Sequence, residues 1–132
     1  MINIKQIFDL AIKMGMAADP RGPARLKKYL ARAKKEYEET KPADKAYFDT
    51  EKLTNPYDDT RIHAGNPNTP VKRVLTGIDI GGSEILLASQ LGERGKKIDL
   101  VIAHHPVGGS LASLHGVMDL VVDVYEDLGM PV

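Results

Sequence analysis

The chain has 132 residues, enough for one domain with a modest core, of which 42% are hydrophobic and 27% charged. Eighteen basic and eighteen acidic residues cancel, so the composition carries no electrostatic signature of nucleic-acid or anionic-membrane binding. The chain has no cysteine, which excludes disulfides, thiolate metal sites and cysteine nucleophiles, and no run resembles a signal peptide or a membrane span; a cytoplasmic protein is the expectation.

The first segment reads as a helix, with Ile4, Ile7, Phe8, Ala11 and Ile12 recurring on one face. Asn3 and Gln6 stand three apart, as in a capping box, and Gly15 is placed to end the helix. Asp19-Pro20-Arg21-Gly22 is turn chemistry, after which Pro23 suits the first position of a second helix running to about Thr40. Leu26, Tyr29, Leu30, Ala33 and Tyr37 form the apolar side of that helix, and its Lys- and Glu-rich side reads as a solvated face.

Residues 1–41 thus form a helical segment, and residues 42–70 form a loop-rich one with Asn55-Pro56-Tyr57 and Gly65-Asn66-Pro67-Asn68. So long a stretch without structure is unusual inside a domain, so it is expected to pack against a sheet, with a short edge strand near Asp59–His63. His63 is expected to be exposed.

Residues 71–132 have the alternating grammar of an α/β fold. Val74–Ile80 reads as a strand, Gly81-Gly82 as the turn leaving it, and Ser83 as the cap of a helix ending near Gly92–Gly95. Asp99–Ala103 is the second strand. Ser110 then opens one further helix, with Leu111, Leu114, His115, Met118, Val121, Val122 and Tyr125 inward and Gly129 and Pro131 closing it. Two strands joined by a helix make a parallel pair, so both end at the same edge of the sheet. The fold class is therefore α/β: two amino-terminal helices, then β-α-β-α around a parallel or mixed sheet. Two parallel strands rarely stand alone, so the sheet is expected to be incomplete within this chain.

The most informative stretch is Ile98-Asp99-Leu100-Val101-Ile102-Ala103-His104-His105-Pro106. An apolar strand ends in two adjacent histidines, at the edge where open α/β sheets gather their ligands. Pro106 keeps His105 out of the helical region, so the imidazoles are presented from a strand end. Successive side chains on extended backbone diverge, which suits two metal ions with one histidine on each. Imidazole serves zinc, iron and manganese alike. Asp79, at the end of the neighbouring strand, is a candidate acceptor for a histidine N–H, although capping of the following turn is its more ordinary role. Gly81-Gly82 and Gly108-Gly109 read as turns, since no complete phosphate-binding motif surrounds them. Ser83 and Ser110 have no base partner visible in the sequence.

Thr76-Gly77-Ile78-Asp79, the intervening helix and the strand ending His104-His105-Pro106 together resemble the amino-terminal part of a family of dinuclear-metal proteins. These are the GTP cyclohydrolase I type 2 homologs, also called NGG-interacting factor three-like proteins. Asn55–Ile62 is similar to a segment of one bacterial subgroup, and the likeness is best over roughly residues 70–125. The resemblance implies a metal-dependent, cyclohydrolase-like hydrolase holding two divalent ions (zinc, iron or manganese). It also implies a small-molecule substrate and a homo-oligomer, commonly a toroidal hexamer. Only His104 and His105 carry over as ligands. The family's later aspartate and its distant His and Glu are expected beyond Val132, so this chain holds the first half of a site. His115 and Asp119 copy part of that later spacing, but they fall on a helix and are not carried over. The contrasting reading is a non-catalytic interaction or scaffold module with a vestigial site.

Overall fold

The computed structural model describes residues 1–131 and is α/β, with five α-helices and a two-stranded parallel sheet. The helices are α1 (Ile4–Ala18), α2 (Gly22–Glu39), α3 (Gly82–Glu93), α4 (Gly108–Ala112) and α5 (Met118–Asp127); the strands are β1 (Val74–Gly77) and β2 (Leu100–Ala103). The chain forms two compact units, Met1–Leu10 with Thr60–Ala112 and Ala11–Asp59 with Ser113–Val132.

In the first unit, α1 starts with the reciprocal cap that its sequence predicts. The Asn3 N–H donates to Gln6 Oε1 at 3.0 Å, and the Gln6 N–H donates to Asn3 Oδ1 at 2.8 Å. Just before it, the Val71 N–H donates to the Ile2 carbonyl at 2.9 Å and Asn3 forms an antiparallel bridge with Pro70. These bonds bring Ile4 and Val71, the buried apolar residues of this unit, into its core.

β1 and β2 pair in parallel, with Val74 opposite Leu100 and Gly77 opposite Ala103. Asp99 fixes the start of this register. Its Oδ2 accepts the N–H groups of Lys72 at 3.0 Å and Arg73 at 3.1 Å, and its own N–H donates to the Arg73 carbonyl at 2.9 Å. Those N–H groups, Lys72 first, hold the Asp99 carboxyl below its ordinary value. At the other end, regular strand geometry stops at Gly77 rather than Ile80, because the chain folds back. A Cβ on Gly77 would lie 2.8 Å from Ile80 Cδ1 and 3.3 Å from the Asp79 carbonyl oxygen.

α3 begins two residues earlier than a cap at Ser83 would place it. Gly81 is its cap residue, and the Glu84 side chain reaches back to accept the Gly81 N–H at 2.8 Å, which lowers the Glu84 pKa. Gly95, at φ +73°, ends it; the Lys96 N–H then donates to the Leu91 carbonyl at 2.8 Å, closing a Schellman turn. Ile85, Leu86 and Leu87 remain 53%, 58% and 46% exposed.

In the second unit, α1 runs through Gly15 to Ala18 instead of stopping at it. Gly15 serves a close approach: a Cβ there would sit 3.2 Å from Tyr57 Cε2. Ile12, Leu26 and Ala33 are the buried apolar residues. A buried polar cluster joins them. Arg21 donates twice to Asp19, from Nε at 3.0 Å and Nη2 at 2.9 Å, and Tyr57 donates its hydroxyl to Asp19 Oδ2 at 3.0 Å. Hydrogen bonding from Arg21 lowers the Asp19 pKa. Burial, followed by the Asp19 contact, pushes Tyr57 up to about 12. Arg25 ties α2 to α5, donating to the Asp123 carbonyl at 2.9 Å and to Asp127 Oδ1 at 2.7 Å. The charged side of α2 is solvated as expected, with Lys34–Glu38 and Lys35–Glu39 pairs at 4.0 and 3.7 Å.

Two expectations fail here. No strand forms at Asp59–His63; residues 42–59 instead carry short 3₁₀ turns at Lys45–Tyr47 and Thr50–Leu53, the latter against α2. Side-chain turns replace a ladder, as where Asn55 Oδ1 accepts the Tyr57 N–H at 2.9 Å. Likewise, the single helix expected from Ser110 is broken into α4, a 3₁₀ turn at Leu114–Val117 and α5. Gly116 lies in that turn because the Asp58 carboxylate occupies the space where a Cβ would stand. His115 and Met118 are consequently exposed rather than in a core.

Gly116→Ala is expected to destabilise the protein by about 1–3 kcal/mol through that overlap. Gly92→Ala, inside α3 with nothing within 4 Å of the new methyl, should stabilise it by up to about 1 kcal/mol. Urea denaturation of the two variants checks the contrast. The lowered pKa values of Asp19 and Asp99 mean that their stabilisation, present above the unfolded carboxylate value, is lost as pH falls through the folded one. Tyr57 has the opposite sign: its contribution is complete below the ordinary tyrosine value of about 10 and disappears as pH rises towards about 12. Stability measured against pH should therefore fall at both extremes, and Tyr57→Phe should blunt the alkaline fall.

Candidate metal centre

Backbone hydrogen bonds continue for two residues past the end of β2 and fix the two histidines there. The His104 N–H donates to the Gly77 carbonyl and the His105 N–H to the Ile78 carbonyl, both at 2.9 Å. Pro106 has no N–H with which to extend the series. Both imidazoles are therefore held at a strand end and exposed, with ring centroids 5.2 Å apart and planes inclined by 65°.

Asp79 lies in the bend that follows the neighbouring strand β1, and its Oδ1 is 2.9 Å from His105 Nδ1. The two residues are 26 positions apart, so only the parallel pairing brings them together. Asp79 does not cap the following helix; Glu84 takes that role. Its side chain is 84% exposed and that of His105 is 55% exposed, so this contact adds little to stability. Its consequence is orientation of the ring.

Zinc, iron and manganese all accept imidazole, and two adjacent strand-end rings suit one ligand position on each of two ions. Among the described residues, no three His, Asp or Glu side chains converge on one point. The imidazoles thus fit part of a coordination shell, short of the roughly three or four protein ligands of a zinc site. His115, in the 3₁₀ turn before α5, and Asp119, in the first turn of α5, are both exposed.

One pairing went unseen in the sequence. Ser110 is buried, at 1% exposure, and its Oγ lies 3.0 Å from His63 Nε2. Ser110 is therefore not without a partner, and His63 is exposed yet bonded. The two are 47 residues apart, and no local pattern links an irregular loop to a short helix. No family model, curated protein or solved structure matches the chain. No helix among the described residues is long and apolar enough to cross a membrane.

His63→Ala strands the Ser110 hydroxyl in the interior, an expected cost of about 1–3 kcal/mol. Adding Ser110→Ala should recover part of that loss, since both partners are then removed. Chemical denaturation of the single and double variants measures the coupling.

Proposed function

We propose that this is a cytoplasmic metal-binding protein with the fold of the GTP cyclohydrolase I type 2 homologs, and that His104 and His105 each ligate one ion of a divalent pair. The single observation that carries this reading is the presentation of two adjacent, exposed imidazoles just past the end of a parallel strand, each backbone N–H bonded to a carbonyl of the neighbouring segment. When bound, such a pair supplies Lewis acidity and an activated water, the chemistry of a metal-dependent hydrolase acting on a small molecule. The chain's own contribution is to hold the imidazoles just past the end of β2 and to orient the His105 ring through Asp79.

A second reading is a non-catalytic interaction module. Ile78, Ile85, Leu86 and Leu87 all stand exposed, which favours a surface made to be covered.

Elemental analysis of the purified protein separates the two readings. Zinc, iron or manganese should co-purify, with the content reduced in both His104→Ala and His105→Ala. Metal content unchanged in both variants would exclude the metal reading.

A further inference from the structure

We infer that the amino-terminal edge of the sheet is a binding site for a ligand that carries several phosphates on a short chain. Lys72 and Arg73, which lead into β1, form it with Arg94, Lys96 and Lys97, which connect α3 to β2. The site lies at the opposite end of the strands from His104 and His105, so it is independent of the metal reading.

The cluster is a product of topology. Parallel strands begin at the same edge, so two cationic segments that are separate in sequence arrive side by side. Arg73 donates from Nη1 to the Lys97 carbonyl at 3.3 Å, which joins them directly. All five cations are exposed. The acids beside them in sequence are Glu93 and Asp99. Asp99 is occupied by the backbone: its Oδ2 accepts the Lys72 and Arg73 N–H groups, and Lys97 Nζ stands 3.7 Å from its Oδ1. Lys72, Arg73, Arg94 and Lys96 form no ion pair among the described residues, whereas Lys5, Arg25, Lys34 and Lys35 all have carboxylate partners. A chain with no net charge thus gathers a local excess of positive charge here.

The shape of the cluster fixes the class of ligand. Neighbouring strands lie about 4.8 Å apart, so the cations crowd into a compact patch instead of forming a track for a duplex backbone. Residues 71–76 and 93–100 contain no aromatic ring on which a nucleobase could stack. An extended acidic peptide carries at most one side-chain charge per residue, or about 3.3–3.6 Å of chain. A phosphate chain holds its charge more densely and accepts two parallel bonds from a guanidinium such as that of Arg73.

Titration calorimetry of the full chain with inorganic tripolyphosphate tests the site, beside flotation with phosphatidylcholine vesicles that contain or lack phosphatidylinositol bisphosphate. The two arms separate a free phosphate chain from a lipid headgroup, and binding in either supports the inference. Arg73→Gln combined with Lys96→Gln should weaken that binding about tenfold, and Lys72→Gln alone about threefold. All three side chains are exposed, so the urea midpoint should stay at the wild-type value. Lys13→Gln combined with Lys28→Gln removes the same charge from α1 and α2 and should change affinity by less than about twofold. Raising the ionic strength from about 0.01 M to about 0.15 M shortens the screening length from about 30 Å to about 8 Å and should weaken binding. Binding to neither phosphate probe overturns the inference. Equal losses in the two double variants also overturn it, because the attraction then belongs to the charge of the whole molecule. Duplex DNA held more tightly than tripolyphosphate overturns the compact ligand class.

Discussion

The parallel register of β1 and β2 is the constraint on which the site depends. Asp99 fastens one end by accepting the N–H groups of Lys72 and Arg73. The carbonyls of Gly77 and Ile78 fasten the other by accepting those of His104 and His105. A slip of one residue would turn every side chain to the opposite face of the sheet. It would also part His105 from Asp79. The histidine pair thus owes its placement to backbone hydrogen bonds rather than to packing around the rings, which are exposed.

The apolar core is thin. Ile4 and Val71 are buried in one unit, and Ile12, Leu26 and Ala33 in the other. Arg21, Asn55, Asp58 and Ser110 are buried at least as deeply, so polar pairing has to define much of the interior. Asp19 and Tyr57 serve Arg21, Lys52 and Tyr29 meet Asp58 at 3.2 and 3.4 Å, and His63 meets Ser110. Satisfied networks of this kind favour one arrangement over its competitors, and each is costly to break at a single partner. The sheet is the converse case. Val74 and Ile102 stand 40% exposed on strands of a type normally covered on both faces.

Local chemistry made much of the fold legible. The Asn3–Gln6 cap, the turn at Asp19–Gly22, Pro23 at the start of α2 and the glycine end of α3 each involve residues a few positions apart. The physical causes lie within one turn of chain. The misreadings share the opposite feature. Gly15 looked like a helix terminator but makes room for Tyr57. Gly116 interrupts an otherwise helical pattern because Asp58 fills the space beside it. His115 lay on an apolar stripe, but that stripe assumed one continuous helix, and the break at Leu114–Val117 removed it. In each case the deciding neighbour is distant in sequence.

The site divides in the same way. The sequence by itself determined that an apolar strand leads into His104 and His105, that Pro106 stops the chain from extending further, and that Asp79 follows the neighbouring strand. A continuous apolar run of strand length and the missing proline donor suffice for that. Only the tertiary structure decided that Asp79 contacts Nδ1 of His105, that Glu84 rather than Ser83 satisfies the start of α3, and that Ser110 is buried against His63. Those pairings depend on register and on where the chain folds back, and hydrogen bonds across tens of residues leave no periodic trace in the sequence.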